Sequence, residues 1–308
     1  MKRTTKKISF IAALALTLCS LNLSAQEGLQ SISIVKSAAG ISSNMMKDMN
    51  KKVIDSSYME CRYELKYLKD TSVVITDSTR QQIVSKDMML LHVGKKVAKF
   101  YSYNKFYTDS LLADAVKKQT VNGKGTVTFG NLKTKEGSPE LIYKYPDGKL
   151  LYHCGLGPDS YQYEDNDLYF GWELLDETKE LLGYTVHKAT CDFRGRKYTA
   201  WYAPDISISN GPWKFSGLPG LILEISDSRD HYHYTAVGLK KTRDLPIYIN
   251  EGNFIKIKRK KFQELKRRLD EDPISFLNNN SGGRVQIKIE GNCDFFKELK
   301  YEYQETDY

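Results

Sequence analysis

The chain has 308 residues, and its 46 lysines and arginines stand against 38 aspartates and glutamates, giving a formal net charge of +8. That length supports one large domain or two small ones, and after the first 25 residues no segment approaches the roughly 20 apolar residues that cross a bilayer as a helix. Half of the basicity lies at the start: without the four basic residues before Gln26 the balance is 42 against 38, a surface that does not call for nucleic acid.

The first residues predict a secretory signal. Lys2, Arg3, Lys6 and Lys7 precede an apolar run from Ile8 to Leu18, and Leu23-Ser24-Ala25 places a cleavage site before Gln26. An uncut anchor is one alternative. A lipoprotein signal at Cys19 is another, against which stands Leu18, where processing wants a small residue. The expected organisation is residues 1–25 as signal and 26–308 as one domain, periplasmic or associated with the outer envelope, with secretion open.

The mature sequence is strand-like, with 21 Tyr and 12 Phe in short runs set between Gly, Asn and Asp turns. A helix is expected over Ser37 to Val53. Ser57 to Leu68 alternates apolar and polar residues as a strand. Met88 to Val93 and Val97 to Tyr103 read as a hairpin around Gly94, and Asp109 to Lys118 as a short helix. Leu141 to Tyr145 and Leu150 to His153 flank the turn sequence Pro146-Asp147-Gly148. Tyr184 to Phe193 and Tyr198 to Ala203 pair around Arg194-Gly195-Arg196. Leu221 to Ser226 and His231 to Leu239 follow, joined by residues 227–230. Phe254 to Leu269 has apolar residues at helical spacing opposite a basic face, with Asn253 as its cap and Pro273 beyond its end. Asn278 to Gly283 reads as a loop, Val285, Ile287 and Ile289 as a last strand, and Glu298 to Tyr308 as a frayed polar tail.

Within residues 182–225 one motif stands complete: Gly217-Leu218-Pro219-Gly220-Leu221-Ile222. Upstream lie Gly211-Pro212-Trp213-Lys214-Phe215 and Tyr198-Thr199-Ala200-Trp201-Tyr202. In this stretch the chain resembles the GLPGLI family of exported Bacteroidota proteins, a family known by its motif and not by an activity. The resemblance implies an envelope protein, and work alongside outer-membrane transport systems. Many members carry Cys just after the Gly-Tyr pair, where this chain has Thr185-Val186, so a disulfide taken from relatives does not transfer. The motif itself reads as structural. Leu218-Pro219-Gly220-Leu221 suits a type II turn with Gly220 at positive φ, Gly211 and Gly217 permit close backbone approach, and Trp213 and Phe215 are apolar anchors.

Four cysteines follow the signal: Cys61, Cys154, Cys191 and Cys293. An even count in an oxidising compartment favours disulfides, with three connectivities open; buried thiols acting as small apolar residues are the alternative. His231 and His233 on one strand face are candidate ligands for a transition metal, with Asp227, Asp230, His153 or His187 to complete a site; two histidines at the exposed end of a hairpin are the plainer reading. No other cofactor is predicted. Glu173, Asp176 and Glu177 could serve as a carboxylate pair in a hydrolase. Gly123-Lys124-Gly125-Thr126 reads as a turn rather than a phosphate loop. The run Lys256, Lys258, Arg259, Lys260, Lys261, Lys266, Arg267 and Arg268 reads as one solvated helix face, or as a dock for an anionic surface.

These observations predict an α+β fold leaning to all-β, a curved antiparallel sheet or open half-barrel with a few helices on its concave side, similar in shape to periplasmic lipoprotein carriers. The leading functional expectation is a non-enzymatic envelope protein binding a hydrophobic ligand or an envelope protein partner. A metal-binding protein and a hydrolase are the alternatives.

Overall fold

The computed structural model describes residues 29–37, 51–68, 74–76, 79–81, 84–119, 133–157, 159–166, 168–280, 285–291, 301 and 303–307. The expected signal, Cys293, the Gly123–Thr126 turn and most of the helix expected over Ser37 to Val53 lie outside these residues. The two ends of that predicted helix are strand instead, because Ser37 closes β1 (Leu29–Ser37) and Lys51 opens β2 (Lys51–Leu68).

Alternation organises the architecture. Along β2, Cys61, Tyr63 and Leu65 are buried while Glu60, Arg62 and Glu64 face the other way, the period of two that a half-buried strand requires. The same pattern recurs in β6 (Ala98–Ser102), β9 (Asp159–Asp165) and most of β12 (Arg196–Ala203), while β5 (Val84–Gly94), β7 (Leu141–Lys144), β8 (Leu150–Leu156), β10 (Glu173–Leu181), β11 (Tyr184–Phe193), β13 (Leu221–Asp227) and β14 (Tyr232–Asn250) depart from it. With β15 (Ile255–Lys256) these form one open 12-stranded sheet, in the order β10-β11-β12-β13-β14-β2-β5-β6-β7-β8-β9-β15. Every pairing in it is antiparallel except the last, where Ile255 runs parallel beside Tyr161. β1 pairs separately with β16 (Val285–Gly291), and β3 (Val74–Thr76) with β4 (Thr79–Gln81). The fold is therefore mostly β, as expected.

The sheet curves strongly. The turn between β11 and β12 lies near one edge and β9 near the other, yet Arg194 Nη2 reaches Asp165 Oδ1 at 2.7 Å. The concave face holds the main core. Tyr63, Phe100, Tyr152, Tyr163, Tyr198 and Phe215 belong to it, meeting mostly edge-on or tilted as aromatic quadrupoles prefer. Helix α2 (Arg259–Glu271) closes this face by inserting Phe262 against Tyr152, Tyr161 and Tyr163.

The helices differ from expectation in three places. α1 (Tyr103–Gln119) starts six residues early. Ser102, the last residue of β6, accepts from Lys105 N at 2.9 Å and caps the helix directly. α1 lies on the convex face, where Phe106 meets Tyr101 while neighbouring Phe100 points into the concave core. α2 begins at Arg259, because the edge of β9 takes the residues before it. Ile257 N bonds Gln162 O at 3.0 Å, and Phe254 stacks on His153 with ring centroids 4.0 Å apart. The cap position is Lys258, with no side-chain bond, rather than Asn253. Finally, Pro273 opens a third helix, α3 (Pro273–Asn280), a position where its missing N–H costs nothing; Asp272 caps it through Ser275 N at 3.0 Å.

Asp87 marks where α1 joins the sheet. It is 2% exposed and accepts from Ser102 Oγ at 2.8 Å and Ser138 N at 2.7 Å. Burial outweighs these bonds and pushes its pKa up to about 6. A carboxyl raised from 3.8 favours the fold most below its unfolded pKa, and that contribution disappears as pH rises through about 6. Asp87→Asn keeps both partners without the charge. It is expected to add about 2 kcal/mol at pH 7.5 and almost nothing at pH 4, read from urea midpoints at the two pH values. An equal gain at both would assign the effect to packing.

Candidate functional site: a basic cleft holding the C-terminal segment

The β11–β12 hairpin turns on Arg194 and Gly195, both at positive φ (+52° and +81°), the requirement of a two-residue hairpin turn. The turn carries Arg194 at its tip and Arg196 at the first position of β12. A second reversal follows. Trp213 sits at φ +48°, rare for a bulky residue, and Trp213, Lys214 and Phe215 are all turned inward, each at most 3% exposed. Trp172 Nε1 braces the loop through Ser216 O at 2.9 Å. Lys144, on β7, holds it from beneath, bonding Asn210 Oδ1, Gly211 O and Phe215 O at 2.6–3.1 Å. Burial pulls the Lys144 pKa well below the ordinary amine range.

Lys214 is the centre of the site. It is fully buried, with its Nζ about 5.3 Å from the ring centroids of Tyr163 and Trp213 and 5.4 Å from that of Tyr152, the arrangement of a cation held over aromatic faces. Nζ donates to Tyr163 OH at 3.1 Å, to Asp165 Oδ2 at 2.9 Å and to Glu305 Oε1. The last partner belongs to the polar tail, and the expected fraying is corrected here: Glu305 is 3% exposed. The tail is held because its backbone and acids find partners that water would otherwise supply.

The contacts run the length of residues 303–307. Arg196 donates from Nε to Tyr303 O at 2.9 Å and from Nη1 to Asp227 Oδ2 at 2.8 Å. Tyr198 OH donates to Gln304 O at 3.2 Å, and Tyr234 OH to Gln304 Oε1 at 3.1 Å. Thr306 N donates to Arg194 O at 2.9 Å, directly above Gly195, where a Cβ would stand 2.1 Å from Thr306 Oγ1. Arg259 of α2 reaches Glu305 Oε2 at 3.1 Å and grips Asp307 with both guanidinium nitrogens at 2.9 Å, a fork geometry lysine cannot reproduce. Gln263 Nε2 adds a bond to Glu305 at 2.7 Å. Arg194 and Arg259 together hold the Asp307 carboxyl below its usual pKa against the cost of burial. Four cations (Arg194, Arg196, Lys214, Arg259) thus meet four carboxylates (Asp165, Asp227, Glu305, Asp307), and the C-terminal segment supplies two of the four.

The Gly217-Leu218-Pro219-Gly220-Leu221-Ile222 motif feeds this loop into β13. It is not the expected type II turn: Gly217 takes the positive φ (+91°) and Gly220 does not. Gly220 N bonds Leu218 O at 2.8 Å across Pro219, a three-residue turn. Gly220 is required by contact, since a Cβ would lie 2.2 Å from Ala203 O. Gly211 likewise faces Ile222 too closely for a Cβ. Leu218, Leu221 and Ile222 are buried in the core, and Ile222 O accepts from Tyr63 OH at 2.7 Å.

The other candidates are dispersed. β14 begins at Tyr232, so His231 lies in the preceding turn rather than beside His233 on a strand face. His233 lies 3.4 Å from Glu224 and 3.1 Å from Asp230, and the Glu224 carboxylate raises its pKa. His153 and His187 are elsewhere, packed on Phe254 and Tyr202. Among the described residues no three metal-capable side chains converge. Glu173 and Glu177 lie on edge strand β10 and bond Thr190 and Lys188. Charges on an exposed edge discourage further strand pairing. Of the basic run, Arg259 turns inward and Lys266 pairs with Glu140 at 3.2 Å, so that face is only partly solvated.

Cys61, Cys154 and Cys191 are buried free thiols, which corrects the expected disulfides among them. They stand on β2, β8 and β11 as small apolar core residues, and burial pushes each thiol up to about 12. All three are therefore expected to resist iodoacetamide at pH 8 in the folded chain and to react once urea unfolds it; labelling of native protein at any of the three would contradict the burial.

Two cavities frame the chemistry. One, of about 20 Å³, lies beside Lys214 among Glu140, Trp213, Gln263, Gln304 and Glu305. The other is a groove of about 480 Å³ on the convex face, lined by Glu60, Arg62, Glu64, Lys86, Met88 and Tyr103 among others. Its lining is mostly charged.

Residues 193–224 match the model of a family described as a protein of unknown function (Porph_ging). The match includes Arg194, Arg196 and Lys214, three of the four cations of the cleft. No curated protein matches the chain. Among solved structures, PNGF-II aligns in its P21 and C2 crystal forms with TM-scores of 0.43 and 0.41 at 14% identity. The alignments cover 68% and 67% of this chain but 33% and 32% of those, so the chain spans about a third of their length.

Proposed function

We propose that this is a GLPGLI-type exported protein of the cell envelope that acts by binding a protein partner rather than by catalysis. One observation carries the reading. The stretch that matches the family directs Arg194, Arg196 and Lys214 at residues 303–307, contacting both their backbone and their acidic side chains. Such a set of groups recognises polypeptide. The hydrophobic-ligand branch is the weaker one, because tyrosine, phenylalanine and tryptophan rings already fill the concave face. Export rests on the basic and apolar pattern of residues 1–25.

Fractionation of cells producing a C-terminally tagged chain is expected to place a product beginning at Gln26 in the envelope. Photo-crosslinking from Arg229, a turn residue beside the Arg196–Asp227 pair, is expected to trap one defined envelope polypeptide. Charge reversal at Arg194 should reduce that capture. A chain retained in the cytoplasm would overturn export. A chain that crosslinks to nothing and co-purifies with lipid would return the reading to a hydrophobic ligand.

A further inference from the structure

The segment 303–307 is held as a bound peptide is held. Four of its five side chains are polar, Tyr303 being the exception, and its burial rests on backbone hydrogen bonds and ion pairs. Removing charges from water costs several kcal/mol per ion even in a real protein interior, and an apolar segment would fill the same space without that cost. The fit is also incomplete. The buried Gln304 amide nitrogen has no hydrogen-bond partner among the described residues, and the cavity of about 20 Å³ lies against Gln304 and Glu305. The cleft, by contrast, is rigidly built. Lys214 is fixed by Tyr163 and Asp165, Arg196 by Asp227, and Arg194 by Asp165, all independently of the tail. Without Glu305 and Asp307, four cations would face two carboxylates, and the cleft would carry an excess of positive charge.

We propose that this cleft is a binding site for an acidic peptide of the pattern Glu-x-Asp, occupied in cis by the chain's own residues 303–307 and open to the same pattern on a partner polypeptide. The inference rests on the protein-partner reading above and names the chemistry of that partner. Lys214, Gln263 and Arg259 read the glutamate, Arg194 and Arg259 read the aspartate, and Gly195 admits the residue between them. Arg196 and Tyr198 take the two carbonyls that precede the glutamate, whatever side chains are there. A tethered occupant competes at a high effective concentration, so the cis segment sets a threshold that a partner must exceed.

The test uses the full mature chain and a fluorescent peptide with the sequence of residues 301–308. In the Glu305→Gln/Asp307→Asn chain the tethered segment is weakened while the cleft is intact. This chain is expected to bind the peptide one to one, at least about tenfold more tightly than the wild-type chain does. A peptide with the same two acids neutralised is expected to bind at least about tenfold more weakly, for the loss of charge-assisted bonds. A folded double variant that binds neither peptide overturns the proposal. If the double variant does not fold, Asp307→Asn alone is used, since Asp307 is a third exposed and the Lys214–Glu305 pair is preserved; the same preference for the acidic peptide is expected. Collapse of both variants also overturns the proposal, because the segment would then be an inseparable strut of the fold. Peptide binding that fails while crosslinking still traps an envelope protein would reject this inference and leave the protein-partner reading standing.

Discussion

Lys214→Ala is expected to lower stability by about 3–5 kcal/mol, the cost of breaking a buried ion pair by removing one partner. In a domain of this size that is a fall in melting temperature of roughly 6–20 °C. The magnitude follows from what the lysine leaves behind. Asp165 and Glu305 are each within hydrogen-bond reach of Nζ and are at most 4% exposed, so Asp165 stays in the core and Glu305 reaches water only if the tail leaves the cleft. Three aromatic rings lose their cation at the same time. Charge and packing can be separated. Lys214→Met restores most of the side-chain volume and none of the charge, and it should be nearly as damaging as alanine. Adding Glu305→Gln to Lys214→Met should recover part of the loss, since four carboxylates no longer share the three remaining cations. If methionine alone restores stability, packing rather than electrostatics governs the site. If Lys214→Ala costs under about 1 kcal/mol, the cluster does not hold the loop and the tail, and Lys214 is not the centre of the peptide cleft.

The strands were legible where the period of two was unbroken and the turn chemistry was plain. Tyr184 to Phe193, Tyr198 to Ala203 and the Pro146-Asp147-Gly148 hairpin were readable from local pattern because local backbone sterics decide them. Gly148 takes φ +85°, and its N–H closes the turn on Tyr145 O at 3.0 Å. Other strands were not legible, β9 and β10 among them. β9 buries Tyr161, Tyr163 and Asp165, and an inward aspartate looks like a loop residue until its partners Lys214 and Arg194 are in place. β10 is an edge strand whose acids resemble a catalytic cluster in one dimension. The start of α2 was misread for a related reason. Phe254 and Ile257 fit a helical stripe, but the unpaired edge of β9 offers the backbone a partner that periodicity cannot show.

The cleft was half legible. Arg194, Gly195, Arg196 and Lys214 stood inside the motif region, yet a lysine flanked by Trp213 and Phe215 gave no sign that it was buried. The one available signal was the alternation Glu305-Thr306-Asp307, which places two acids on one face of an extended chain. It was masked by the general rule that polar termini fray. Docking of the tail depends on residues 91 and 113 positions away in sequence, and no window-based pattern reaches that far.

Gly220→Ala is expected to cost about 3 kcal/mol, at the top of the range for overpacking, although the substitution adds a single carbon. Gly220 is not at positive φ, so backbone preference alone predicts a small gain from reduced unfolded-state entropy. The obstacle is steric. The added Cβ would lie 2.2 Å from Ala203 O and 2.7 Å from its carbonyl carbon, and neither atom can move without shifting β12. Ala203 pairs with Leu221, so the displacement passes straight into the β12–β13 register, which carries Tyr198 and, through the loop before it, Lys214. Gly217→Ala provides the contrast. Its nearest neighbour, Trp172, is 3.6 Å from the built Cβ, which is ordinary contact, but φ is +91°. Its cost should come from backbone strain, about 1–3 kcal/mol, without a change of register. Urea midpoints give the two magnitudes. Hydrogen exchange distinguishes the causes, with Gly220→Ala loosening amides along β12 and β13 and Gly217→Ala leaving them protected. A stable Gly220→Ala chain with β12 and β13 unchanged would show that the glycine is not held by contact, and the structural account of the motif would have to be replaced by one in which its surface is recognised directly.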